Sequence, residues 1–89
     1  MRPVDYSKLT QRERADVREQ YENAQWGDCW FCAEPLYEDP VQSKPINWLL
    51  FPPGFLNHPV HLHHDHETGM TVGAVHAYCN AVMWQYEGQ

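Results

Sequence analysis

Cys29-Trp-Phe-Cys32 and His76-Ala-Tyr-Cys79 share a two-residue gap, and together they use all three cysteines of an 89-residue chain. Each pair can offer two ligand atoms to one ion, and the four make a tetrahedral Cys3His set that suits Zn2+. Three cysteines cannot all pair within one chain, and this spacing fits a metal better than a structural disulfide. The constraint is strong because the chain is short. A domain of this size buries only about 60–65 % of the surface that its unfolded chain exposes, so a structural zinc is expected to supply folding free energy. The blander alternative, a buried helical Cys79 beside a surface His76, leaves the Cys29/Cys32 pair unexplained.

The length allows one domain, residues 1–89, divided into an N-terminal helix over 1–25 and a metal-bound core over 26–89. Ser7 or Thr10 can cap a helix that runs to about Gln25, with Leu9, Val17, Tyr21 and Ala24 on one apolar stripe. Arg12, Arg14 and Arg18 mix with Glu13, Asp16 and Glu19 on its other faces. That mixture reads as a solvated face with ion pairs, the sharper alternative being a DNA-contacting face. Gly27 ends the helix and admits the Cys29–Cys32 turn. Six of the seven prolines fall within 33–59, which excludes long helices there and leaves a turn-rich excursion without an assigned role.

Val60–His63 and Met70–Val75 read as two short strands around a polar turn at 64–69, in which Asp65 and Thr68 bond nearby backbone and Gly69 permits a positive φ. A helix follows from His76 to about Glu87. It is apolar nearly all round and is expected to be buried, with His76, Cys79 and Asn80 on its remaining face. Trp26, Trp30, Trp48 and Trp84 are expected to pack in the core or against the metal knuckle.

Six Lys and Arg against twelve Asp and Glu give a net charge of −6, which argues against a nucleic-acid binder by bulk composition. Five of the six basic residues nevertheless lie within the first eighteen positions, so the net figure hides a basic N-terminal region. The longest apolar run, Trp48–Phe51, is far short of the roughly 20 residues that cross a bilayer, and no signal-peptide-like stretch opens the chain. These features predict a soluble, cytoplasmic protein without a membrane partner.

Four of the six histidines fall within His61-Leu-His63-His64-Asp65-His66. Alone, such a run could be a surface metal binder or part of a polar turn. Period-2 geometry puts His61 and His63 on one strand face, and the hairpin feeds directly into the metal-bearing helix, so Asn80 can come close to the cluster. The whole string reads His63-His64-Asp65-His66-Glu67-Thr68-Gly69-Met70-Thr71-Val72-Gly73, then His76-Ala77-Tyr78-Cys79-Asn80. It resembles the HNH, or ββα-metal (His-Me finger), nucleases, and most closely the phage recombination endonuclease VII type. That family carries Asp-His-Asp-His-x-Thr-Gly-x-x-x-Gly, followed by a CxxC pair with Asn beside its last cysteine. The likeness covers about residues 26–86 in order of elements and is close from His61 to Asn80. Here His63 replaces the family's first Asp, and His76 replaces the first cysteine of the second zinc pair. Met83 stands where some members place a carboxylate.

The resemblance implies an α+β fold, a small zinc-stapled ββα-metal (treble-clef-like) domain with an N-terminal helix. It implies a metal-dependent DNA endonuclease of phage origin that hydrolyses phosphodiester bonds in duplex or branched DNA. His64 would be the general base, His63 and Asn80 the ligands of a catalytic divalent cation, and His66 either a supporting group at the phosphate or a structural hydrogen-bonding residue. The cation would be Mg2+, Mn2+ or a later transition metal, besides the structural Zn2+ on Cys29, Cys32, His76 and Cys79. Implied partners are DNA, a second copy of the chain, or a phage packaging or replication protein, in the host cytoplasm. The competing expectation, favoured by the acidic balance, is a non-catalytic zinc-binding interaction module that keeps the fold.

Overall fold

Thr10 starts the first helix by a reciprocal cap. Its Oγ1 accepts from the Glu13 N–H at 3.2 Å while Glu13 Oε1 accepts from the Thr10 N–H at 2.9 Å, which satisfies two donors that the first turn leaves unpaired. The computed structural model describes residues 1–88, and this helix, α1, spans Gln11–Ala24. Its other end closes through paired bonds, Trp26 N–H to the Asn23 carbonyl and Gly27 N–H to the Glu22 carbonyl. That closure holds Trp26 at φ 58° and Gly27 at φ 79°, so a bulky side chain occupies a position that favours glycine. Val17 and Tyr21 are buried as expected, and Leu9 packs at the edge of the core. Ala24 is exposed instead, because the helix ends there and the chain leaves the apolar face.

Strands β1 (Val60–His64) and β2 (Thr71–His76) form an antiparallel hairpin, with His61 opposite Val75 and His63 opposite Gly73. The register shifts between His63 and His64, so that His64 pairs with Thr71. Such a bulge re-aims the neighbouring side chains. The turn is built as the sequence suggests: Asp65 Oδ1 accepts from the N–H groups of Glu67 and Thr68 at 2.8 and 3.1 Å, and Gly69 has φ 75°. Those two backbone donors, Thr68 first, lower the Asp65 carboxyl below its usual range.

The free edge of β2 is covered piecemeal. Thr71 N–H donates to the Val4 carbonyl and Tyr6 N–H to the Gly69 carbonyl, both at 2.8 Å, so the N-terminal segment extends the ladder. Further along, Gln25 Nε2 donates to the Ala74 carbonyl at 2.9 Å and Gln25 Oε1 accepts from the Ala74 N–H at 2.8 Å. A side-chain amide thereby replaces a missing strand. Gly73 is required beside it, since a Cβ there would lie 2.9 Å from the Trp30 side chain.

Helix α2 (Ala77–Glu87) buries Tyr78, Cys79, Val82 and Met83 against the hairpin and ends at Gly88 with φ 73°. Contrary to the expectation of burial all round, Trp84 and Tyr86 in its last turns are exposed, beyond the reach of a two-stranded sheet. The helix also anchors the proline-rich excursion. Tyr78 Oη donates to the Lys44 carbonyl at 2.7 Å, and Tyr86 Oη to the Pro45 carbonyl at 2.6 Å. The core is made of Leu36, Val60, Leu62, Val75, Tyr78, Val82 and Met83 rather than of tryptophans. Trp26 is 92 % exposed, and Trp30, Trp48 and Trp84 are at least 40 % exposed, which corrects the sequence expectation. A core this thin is already filled by aliphatic side chains, although Trp30 does lie against Gly73 at the knuckle. No helix among the described residues is long and apolar enough to cross a membrane.

Candidate metal centre and histidine cleft

The first ligand pair sits on a tight knuckle. Cys29 N–H donates to the Glu34 carbonyl at 2.8 Å, Ala33 N–H to the Cys29 carbonyl at 2.9 Å, and Asp28 bridges Pro35. Ala33 takes φ 67° to close it. The second pair lies at the joint of hairpin and helix, where His76 ends β2 and caps α2 while Cys79 lies in the first helical turn. The four ligand atoms of Cys29, Cys32, His76 and Cys79 lie within 4.8 Å of one another. His76 Nδ1 is 3.4 Å from Cys32 Sγ and 3.6 Å from Cys79 Sγ. Tetrahedral zinc with Zn–S of about 2.3 Å and Zn–N of about 2.0 Å requires S···N edges of about 3.5 Å. The spacing fits.

Protonation fits as well. His76 Nε2 lies 2.8 Å from the Pro35 carbonyl, which can only accept, so Nε2 carries the proton and Nδ1 offers its lone pair to the metal. Among the sulfurs, the hydrogen bond from Cys79 holds the Cys29 thiol down at about 4, and the same bond pushes Cys79 up. Burial pushes Cys32 up. Metal binding displaces the protons that remain on the sulfurs and so ties affinity to pH. These four residues are positioned to bind a structural metal such as zinc.

Beside the hairpin a cleft of about 380 Å³ is lined by His58, His61, His63, His64 and His66, with Asn80 from α2, Tyr6, and Arg14 and Arg18 from α1. His63 is 2 % exposed, and burial lowers its pKa below the usual imidazole value, partly offset by a hydrogen bond with Asn80. The Asn80 side chain also reaches His61, with Nδ2 3.1 Å from Nδ1. His64 stacks on Tyr6, ring centres 4.0 Å apart and planes within 10°, and the Arg14 guanidinium lies 3.9 Å from the centre of the same Tyr6 ring. Burial lowers the His64 pKa, and the electrostatic influence of the nearby His66, His63 and Arg14 adds to it. Neutral rings are therefore the prevailing form of His63 and His64 at pH 7.

Of the residues singled out by sequence, His63, His64 and Asn80 meet in this cleft. His66 lies at its mouth, exposed, with its ring 5.2 Å from His64 and 5.6 Å from Trp84. Sequence reasoning does not find Tyr6, and it gives Arg14 and Arg18 no preference over Arg12. Arg18 Nε lies 3.4 Å from Glu22 Oε2, within ion-pair range but misaligned for a hydrogen bond, so this buried N–H lacks a partner among the described residues. The helical spacing of Arg14 and Arg18 is a signal for a shared face, but only the placement of α1 shows what that face meets. Compared with protein-family models, with curated proteins and with solved structures, the chain shows no match to any, and the functional reading rests on the site itself.

Proposed function

We propose that this protein is a metal-dependent DNA endonuclease of the HNH type, built on a zinc-stapled, treble-clef-like ββα-metal core. The observation that carries the reading is the meeting of His63, His64 and Asn80 in one cleft that also receives Arg14 and Arg18. His63 Nδ1 or Nε2 and Asn80 Oδ1 are a nitrogen and an oxygen donor that suit a divalent cation. A cation bound there supplies electrostatic stabilisation to the phosphate and to the leaving 3′-oxygen. His64 takes the proton from the attacking water, and burial keeps its ring in the neutral form that can accept it. The water oxygen bonds to phosphorus, the bond to the 3′-oxygen breaks, that oxygen takes a proton from solvent water, and the products are a 5′-phosphate and a 3′-hydroxyl. Arg14 and Arg18 hold the flanking backbone phosphates, with His66 at the cleft mouth in support.

The second reading, a zinc-stapled interaction module, is favoured by the net charge of −6 and by the exposed Trp48, Leu49, Leu50 and Leu56 on the excursion. Nicking of supercoiled plasmid by the zinc-loaded protein, with Mg2+ or Mn2+ added, separates the two. The native chain is expected to nick. His64→Ala is expected to lose at least about 100-fold in rate while retaining its zinc, since a general base contributes that much. A native chain that binds zinc yet leaves the plasmid intact would support the interaction module.

A further inference from the structure

The Asn80 carboxamide shares the cleft with two imidazoles, its Nδ2 lying 3.1 Å from His61 Nδ1 while His63 lines the same cleft. One end of a carboxamide donates and the other accepts, so the ring that each end faces decides whether Asn80 can act as an oxygen ligand. The far nitrogen of His61 answers this. His61 Nε2 lies 2.8 Å from the Phe55 carbonyl oxygen, which only accepts, so Nε2 must carry the proton. In that tautomer Nδ1 has only its lone pair and requires a donor. Asn80 must therefore turn its N–H toward His61, which leaves Oδ1 for His63 and the cleft. The Phe55 ring also packs edge-on against His61, with centres 4.6 Å apart, and limits rotation of the imidazole.

We propose that His61 is a positioning residue that aims Asn80 Oδ1 at the cation site, with the Phe55 carbonyl setting the His61 tautomer. The inference rests on the reading of His63 and Asn80 as cation ligands. It gives the proline-rich excursion a part in the site: the backbone at Phe55 is the first link of a relay that ends on a metal-ligating oxygen. Outer partners of this kind orient ligands, and losing one typically costs about 10–100-fold in metal affinity or activity.

The test is magnetic resonance of the 15N-labelled, zinc-loaded protein at pH 7.5, with Mn2+ as the probe. The native protein is expected to show His61 protonated at Nε2, and added Mn2+ is expected to broaden His63 and the Asn80 side-chain amide. His61→Leu removes the acceptor and should weaken Mn2+ binding about tenfold with zinc content unchanged. His61→Asn, whose Oδ1 can still accept from Asn80, should recover part of that loss. A native His61 protonated at Nδ1 would overturn the proposal without recourse to any variant. Native-like Mn2+ affinity in His61→Leu would overturn the role of His61 while leaving the cleft as a cation site. Absence of Mn2+ broadening at His63 and Asn80 in the native protein would overturn both this proposal and the endonuclease reading.

Discussion

Loss of hydration at His63 and His64 disfavours the imidazolium, and the electrostatic influence of nearby His66, His63 and Arg14 adds to the effect at His64. If the protein nicks DNA with His64 as the proposed general base, that ring must be neutral to act, so the acid limb of kcat/KM for plasmid nicking should fall below pH 6.5, the ordinary imidazole value, with a flat profile up to neutrality. The sign follows from the shift: a lowered pKa keeps the ring free of its proton to lower pH. A limb centred above pH 6.5 would mean that another group limits the reaction. His63 leads to a second expectation. Mg2+ prefers oxygen ligands and dehydrates reluctantly, whereas imidazole suits later transition metals, so Mn2+, Co2+ or Ni2+ should support nicking better than Mg2+. His63→Asp should restore use of Mg2+ by returning an anionic oxygen. Equal rates with Mg2+ and Mn2+ in both proteins would remove position 63 from the ligand set. The pair Cys29/Cys32 and the pair His76/Cys79 are legible in sequence because metal geometry imposes a short fixed spacing on each. The stacking of Tyr6 on His64 is not, because nothing local to Tyr6 reports a partner 58 positions away.

Helix α1 shows how far patterning carries. The cap at Thr10 and the buried Val17 and Tyr21 follow from the sequence, since capping chemistry and a 3.6-residue period are local properties. Which charged face meets the cleft is decided by docking against the hairpin, and that docking favours Arg14 and Arg18 over Arg12. The double variant Arg14→Gln/Arg18→Gln should weaken duplex binding and reduce the magnitude of the salt-dependence slope by about 2, roughly one for each phosphate that is no longer neutralised. Arg12→Gln should leave both nearly unchanged. Fluorescence anisotropy across a salt series measures the two quantities, and equal effects from Arg12 and the pair would place the DNA backbone off the cleft. The excursion over 33–59 is illegible for a related reason. Its anchors are side chains of α2, Tyr78, Gln85 and Tyr86, reaching backbone groups of residues 44–47, a pairing that leaves no periodic trace.

The knuckle, the hairpin and α2 converge on the four candidate ligands, and the same hairpin and helix supply His63, His64 and Asn80 to the cleft. His76 is the common point: it ends β2, caps α2 and bonds the Pro35 carbonyl of the knuckle. A structural zinc contributes an apparent binding free energy of about 10–16 kcal/mol, comparable to or larger than the about 5–15 kcal/mol net stability of an ordinary domain. Because the described residues form a sheet of two strands, removing the metal should therefore abolish the cooperative fold rather than merely loosen the knuckle. It should also scatter His63, His64 and Asn80, since the same joint carries the strand and the helix that bring them together. The decisive measurement is elemental analysis of protein purified without added metal, paired with thermal unfolding before and after a strong chelator. One zinc per chain, with a cooperative transition that disappears on chelation and returns when zinc is restored, is the expected result. A metal-free protein that still unfolds in a single cooperative transition would contradict it.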